Sequence, residues 1–576
     1  MSFEVTRRYR IMSQARIFGS ERIHLSQEFV PQFTAGIAPE RFSADLVFAR
    51  NARVVTVILA IFIAIGFGLR MNGLGVESLG EDEFNKLETV QEYRTNGLSG
   101  KNGEHPFLMK GLQTLSIAAA ERISPSISEE AALRFPIALF GTFTALLLYL
   151  LVKELFGRSI GLIAGILWAI EPMAVGFDRI AKEDSLALFF FLLTNLLWIK
   201  SQTKAECGEK NWLRYVWFAG CAFAGLMASK YYPHLLGISA VYYVLFQTLP
   251  GNKWALGQKR WLLFFIVMGV AFLILNPTIL FPDTWREMLK FSSESRVGHD
   301  SYEYMDQLYG HKMSNWLYGV PWTFYYVFIA VKTSLPTLLL FLAGMPLLFR
   351  RQLGDGRFFI AIWAFFWFMP YTVMGGKFTR YFTMAEPLVL ISAAVAVYFL
   401  LIWLTQKLPA GLALNAQAVI LFVVVAIPIA NSAAAAPHYR LFTNSIGTHF
   451  AEPGWYFPHD EIYDGATRDA VADIVKTAPP NSAIASETPG LVEHYAKRVG
   501  RSDLRAVLLS DSSAVDALKA GDAILITTGR RYFSNQAMLD SLANDTATDF
   551  RMGTTVGARV YRLDDASAAK VKAAGR

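Results

Sequence analysis

The chain has 576 residues, 53% of them hydrophobic, 14% aromatic and 18% charged, with a mean hydropathy of +0.32. A charged share below the soluble average of roughly 25%, set between long apolar runs, marks a polytopic membrane protein and excludes an ordinary soluble domain. The net charge of +7 reads as loop asymmetry, and no basic, aromatic module of nucleic-acid type stands out. Cys207 and Cys221 lack metal-ligand spacing, so neither a zinc site nor a disulfide is expected.

Residues 1–53 are largely polar and arginine-rich (Arg41, Arg50 and Arg53 nearest the first apolar run), which predicts a cytoplasmic N-terminal segment rather than a cleaved signal. Spanning runs begin near Val54, Leu133, Ser159, Ser185, Leu213, Pro233, Trp261, Trp322, Phe358, Pro387 and Gln417, about eleven helices filling 54–432. With the N-terminus inside, Lys153/Arg158, Lys200/Lys204/Lys210, Lys253/Lys259/Arg260, Arg350/Arg351/Arg357 and Lys407 all fall on the cytoplasmic side, as the positive-inside rule requires. The expected location is a bacterial cytoplasmic (inner) membrane.

Two long outer loops follow from this topology, at 72–132 and 282–321. The first carries Gly80-Glu81-Asp82-Glu83 and an amphipathic stretch around Phe107–Ile123; the second contains Trp285-Arg286-Glu287-Met288-Leu289-Lys290-Phe291, which reads as a helix lying in the membrane interface. From 433 to 576 hydropathy falls. Strand-like runs at Ala483–Ser486, Ala506–Leu509, Ala523–Thr527 and Arg559–Arg562 alternate with helical segments Arg468–Thr477, Gly490–Arg498, Ser513–Ala520 and Ser534–Ala543, predicting a small extracytoplasmic α/β domain.

Chemistry-bearing residues gather at the outer ends of the spans. Asp82 and Glu83 open a helical stretch, where acids are favoured simply as caps. Asp178-Arg179-Ile180-Ala181-Lys182-Glu183-Asp184 lies in a short turn on the same side, and is either a solvated hairpin or a second carboxylate site. Ser229-Lys230-Tyr231-Tyr232, Lys332, and Lys377 with Arg380 put cations on that face. Snorkelling explains such cations; capture of a phosphate is the alternative.

In order, Asp82-Glu83, His105-Pro106-x-Leu-x-Lys110, Arg179-x-x-x-x-Asp184-Ser185, Ala228-Ser229-Lys230-Tyr231, Tyr309-x-His311 running to Pro336, and Arg380-Tyr381-Phe382 running to Pro387 resemble the protein O-mannosyltransferases. That family (glycosyltransferase family thirty-nine) belongs to the C-type superfamily, which uses polyprenyl-phosphate sugars. The resemblance spans roughly residues 75 to 390. It implies a polytopic α-helical membrane fold and transfer of mannose or another hexose, with inversion, to a hydroxyl of a protein, lipid or glycan. It implies Asp82, Glu83 and Asp184 as catalytic acids. It places Arg179, Lys230, Arg380 and Lys332 toward the donor phosphate, and His105, Lys110 and His311 in support. No cofactor is certain; a divalent metal, magnesium or manganese, is the candidate, with Asp82, Glu83 and Asp184 as its ligands. Membrane lipids are expected partners, nucleic acid is not. The chain departs from the family pattern at Phe107, where a second proline is usual, at the additional acid Glu81, and in the α/β domain that stands in place of a sugar-binding repeat domain. The competing reading is a transporter or flippase for a lipid-linked or anionic substrate, for which Glu171-Pro172 is the best fragment.

Overall fold

A computed structural model describes residues 45–235, 237–238, 241, 257–294 and 296–574. Most of the expected N-terminal segment, the span expected from Pro233 and the basic residue Lys253 lie outside the described residues.

The protein is an integral membrane protein. Among the described residues, six helices are long and apolar enough to cross a bilayer: Ala52–Met71, Glu129–Phe156, Glu183–Ala205, Gly356–Val373, Glu386–Lys407 and Ala410–Ala435. Shorter apolar helices, Arg158–Ile170 and Leu335–Leu347, pack among them. The apolar runs at Leu213 and Trp261 fold as Trp212–Ser229 and Gly257–Leu275. The run at Trp322 is not one helix: it breaks between Phe324–Lys332 and Leu335–Leu347. Pro336 begins the second piece because proline suits a first helical turn and not an interior. The freed backbone is satisfied by Glu171, whose carboxylate accepts Ser334 N–H at 2.6 Å and the Thr337 hydroxyl at 3.3 Å. The Glu171-Pro172 break is thus matched by a second break in a neighbouring helix, and the two are bonded together.

The two long loops contain regular structure among the described residues. Glu81–Thr95 begins at Gly80, whose N–H donates to Glu83 Oε2 at 2.9 Å, a capping interaction that fixes the first turn. Phe107–Ile123 is helical. Pro282–Glu294 is helical, with Trp285, Leu289 and Phe291 exposed. It leads into a hairpin of β1 (Arg296–Tyr304) and β2 (Gln307–Lys312). Its turn residues Met305 and Asp306 both have positive φ, 52° and 62°, as a tight two-residue hairpin requires.

The C-terminal part forms a five-stranded sheet in the order β4 (Arg505–Leu508), β3 (Ala483–Ser486), β5 (Ala523–Thr527), β7 (Thr555–Arg562), β6 (Thr548–Met552). β3 runs parallel to β4 and β5, while β7 is antiparallel to β5 and β6. β6 has no counterpart among the expected strands: Thr548-Asp549-Phe550-Arg551 is a largely exposed edge, and polar edge strands carry little apolar signal. One hydrophobic core joins this sheet to the first loop, with Leu79, Leu87 and Val90 packing together with Ile462, Val471, Ile484 and Leu491.

Candidate active site

Asp82, in the first turn of Glu81–Thr95, meets Lys182 and Arg380, each of which lies shortly before the start of a long apolar helix. Its Oδ2 lies 2.6 Å from Lys182 Nζ and 3.4 Å from Arg380 Nη2, with the side chain 35% exposed. Burial raises the Asp82 carboxyl, but Lys182, Arg380 and Lys86 outweigh it and hold the group well below the usual carboxylate range. Burial conversely lowers Lys182 to about 8 against the pull of Asp82.

Around this acid, opposite charges alternate. The buried Glu183 pairs with Lys86 at 3.1 Å and lies 3.4 Å from His105 Nδ1. Burial depresses the His105 imidazole well below its usual value, so it is neutral at pH 7. Asp184 Oδ1 accepts from Lys230 Nζ at 2.6 Å, and its buried Oδ2 has no partner. Lys230 is also flanked by the rings of Tyr232 and Tyr381, 4.8 and 4.9 Å from their centroids. Arg380 lies over the Phe378 ring at 3.9 Å and reaches Asp460 Oδ1 at 3.7 Å. Asp460 is anchored in turn by Tyr302 Oη at 2.8 Å and Thr379 N–H at 2.6 Å. The result is a half-open acid among lysines and an arginine, the arrangement needed to move a proton beside a bound anion.

Residues 113–281 match the model of the dolichyl-phosphate-mannose-protein mannosyltransferase family. A stretch of 97 residues, 17% of this chain, is 37% identical to YkcB of Bacillus subtilis strain 168, which carries a mannosyltransferase name, and spans 13% of that relative. Apo ArnT from Cupriavidus metallidurans shares the fold at a TM-score of 0.50 and 15% identity, over 88% of this chain and 97% of that one. The oligosaccharyltransferase AglB from Archaeoglobus fulgidus, solved with an inhibitory peptide and a dolichol-phosphate, gives 0.50 at 12% identity over 82% and 69%. The chain thus has the fold of ArnT and AglB.

Within this fold the expected site residues divide. Asp82, Asp184, Lys230, Arg380 and His105 come together. Glu83 does not share the opening: it is fully buried, and Arg134 grips its two oxygens at 2.9 and 2.6 Å while Ala181 N–H donates to Oε1 at 2.7 Å. It ties the first loop to the Lys182–Asp184 turn. Arg179 is turned away from the cluster: its guanidinium donates to the carbonyls of Arg70, Asn72, Gly73 and Pro437 at 2.7 to 3.2 Å. Lys332 is likewise engaged elsewhere, by Glu461 at 2.8 Å and the Phe442 carbonyl at 2.8 Å. Neither joins the cluster around Asp82: Arg179 caps carbonyls left open at a helix end, and Lys332 is paired with a carboxylate far along the chain.

Lys110 donates to the carbonyls of Asn102 and His105 at 2.7 and 2.9 Å, closing the loop that carries His105. His311 Nε2 lies 3.0 Å from Lys377 N and 2.8 Å from its carbonyl oxygen, holding the segment that leads to Arg380. The candidate metal ligands do not fit a metal: Asp82, Glu83 and Asp184 each face a different cation. No group of three or more His, Cys, Asp or Glu side chains that could hold a metal ion exists among the described residues.

Beside the charged cluster lies an apolar groove of about 670 Å³, lined by Met227, Tyr231, Phe272, Leu280, Trp285 and Met288 among others. Tyr231, which lines it, follows Lys230 in the chain. Lys86, Lys182, Glu183 and Asp460 were absent from the sequence-derived set. For Lys182 and Glu183 the signal was their place in the turn before Asp184, and for Lys86 the i+4 spacing from Asp82.

Proposed function

We propose that this chain is a membrane glycosyltransferase that moves a sugar, mannose or another hexose, from a polyprenyl-phosphate donor to a hydroxyl acceptor. The observation that carries this reading is Asp82, partly open and ringed by Lys182, Arg380 and Lys86, in a chain that also presents an apolar groove. A phosphate needs the cations, an acceptor hydroxyl needs the acid, and an isoprenoid needs the groove. The family model matched by residues 113–281 is named for a dolichyl-phosphate donor, and AglB was solved with a dolichol-phosphate.

In the reaction, the acceptor oxygen attacks the anomeric carbon opposite the phosphate and inverts it. The new carbon–oxygen bond forms as the sugar–phosphate bond breaks, and the bond's electron pair leaves with the polyprenyl phosphate. Asp82 takes the hydroxyl proton. Without substrate, its cations make it a weak base. An arriving phosphate competes for Lys182 and Arg380 and adds negative charge, which raises the basicity of Asp82 when the acceptor must be deprotonated. Lys230, held by Asp184 between two aromatic rings, meets the phosphate at the groove end. The acceptor is a protein, a lipid or a glycan.

The reaction side is the non-cytoplasmic face of a bacterial inner membrane, with residues 1–53 cytoplasmic, 54–432 spanning and catalytic, and 433–576 extracytoplasmic. The basic residues Lys153, Lys204, Arg350, Arg351 and Lys407 support this, since they cluster at or near helix ends other than those bearing Asp82, Asp184 and Lys230. The test is transfer of radiolabelled sugar from polyprenyl-phosphate-mannose in membranes holding this chain or its Asp82→Asn form. Product made only by the unaltered chain supports the reading, and its partition into protein or lipid names the acceptor. No transfer from mannose, glucose, arabinose or aminoarabinose donors refutes it.

A further inference from the structure

Tyr463 stands out on two independent counts. It is a non-glycine residue at φ +50° closing the turn Pro458–Ile462, a left-handed conformation disfavoured for a bulky side chain. Its hydroxyl is also buried without a hydrogen-bond partner, in a residue 4% exposed, although buried tyrosine hydroxyls almost always find one.

The surrounding structure enforces this placement. Asp464 accepts the N–H of Glu81 at 3.0 Å and the Arg530 guanidinium at 2.9 Å, and its carbonyl accepts the Ser78 hydroxyl at 2.6 Å. Ser78 N–H donates to the Gly465 carbonyl at 3.0 Å. The turn is therefore bolted to residues 78–81, the entry to the Asp82 helix. The Tyr463 ring lies on Gly80 so closely that a Cβ there would fall 2.3 Å from Cε1. Burial pushes the hydroxyl well above its usual range, so it is a protonated donor, and the ring that carries it lies on Gly80, two residues before Asp82. Arg380, whose Nη2 lies 3.4 Å from Asp82, has a second buried donor in Nη1, which makes no hydrogen bond and has Asp460 Oδ1 3.7 Å away. Two orphan donors next to one acid call for a ligand rich in acceptor oxygens.

We propose that Tyr463, contributed by the C-terminal part of the chain, is a catalytic residue whose hydroxyl donates, together with Arg380 Nη1, to an oxygen of the donor's phosphate. This rests on the transfer reading above and adds a residue to it. The C-terminal part thereby completes the phosphate site as well as packing over the first loop.

The test compares wild type and Tyr463→Phe, which keeps the ring on Gly80 and removes only the hydroxyl. In nanodiscs, undecaprenyl phosphate should bind Tyr463→Phe roughly tenfold more weakly, as loss of a hydrogen bond to a charged group implies. Undecaprenol, which lacks the phosphate, should bind both forms alike, and the thermal midpoints should agree. Equal affinity for undecaprenyl phosphate in the two forms overturns the proposal. So does an equal loss of undecaprenol affinity, or a lowered midpoint with unchanged affinity, since either marks a packing role. Failure of wild type to bind undecaprenyl phosphate also overturns it. Phosphate-dependent binding without sugar transfer from any donor would instead refute the transferase reading and leave Tyr463 in an anion site.

Discussion

Replacing Glu83 by glutamine removes one charge and almost no volume from a point where the structure separates two adjacent acids. Glu83 is fully buried, with two bonds from Arg134 and one each from the backbone N–H groups of Ala181 and Gly80. After the change, the Arg134 guanidinium, 3% exposed, still donates to the carbonyls of Leu74, Glu77 and Ser78 but has lost its direct counter-charge. Stranding one member of a buried pair costs about 3–5 kcal/mol. Asp82→Asn serves as comparator: with that side chain 35% exposed, solvent-screened pairing limits the stability change to about 1 kcal/mol. Its effect on rate is the reverse, a loss of roughly 100- to 10,000-fold for removal of a general base. Thermal unfolding of both variants in the same detergent, with transfer measured per folded molecule, reads the two effects separately. Glu83→Gln should melt well below Asp82→Asn while its folded fraction keeps the greater activity. If Glu83→Gln melts with the wild type and loses transfer as Asp82→Asn does, Glu83 acts in the chemistry and the strut assignment is wrong.

Two further outcomes are expected. Lys182 carries its proton only to about pH 8 in the fold, against about 10.4 in the unfolded chain, so transfer should fall as pH rises through about 8. Between those values the unfolded chain binds the extra proton, so this group favours the fold increasingly as pH rises; the loss of rate is therefore not unfolding. In Lys182→Arg the alkaline limb of the kcat/KM profile should move beyond about pH 10, and an unmoved limb removes Lys182 from the site. Met227→Trp, which fills the apolar groove beside Tyr231, should raise KM several-fold for a long-chain donor and leave a short, water-soluble analogue unaffected. An equal effect on both donors would show that the groove does not hold the isoprenoid.

How much of this was legible in the chain depended on distance along it. Asp82, Asp184, Lys230 and Arg380 could be grouped because each follows or precedes an apolar run at the same end, and topology alone puts those ends on one side. Strands β3 and β5 were readable to the residue, since Ala483–Ser486 and Ala523–Thr527 are buried apolar runs. What could not be read was pairing across the chain. Lys332 looked free because its partner Glu461 lies far downstream. Arg179 looked poised for an anion because the carbonyls it caps belong to the end of Ala52–Met71 and to Pro437. Asp460 sits in an unremarkable Pro-His-Asp-Glu turn, and only the fold brings it to Arg380.

The core shared by the first loop and the C-terminal sheet bears on timing. A chain is made from its N-terminus, so the helix bearing Asp82 emerges early. Yet Ser78 and Glu81 bond to residues 386 and 449 positions further on, Asp464 and Arg530. While the spans are being inserted, that helix therefore lacks part of the apolar surface it packs against and the turn to which its entry is bolted. The charged pocket closes only when the segment bearing Asp460, Asp464 and Arg530 docks. A chain halted before that segment is made would hold an unfinished pocket.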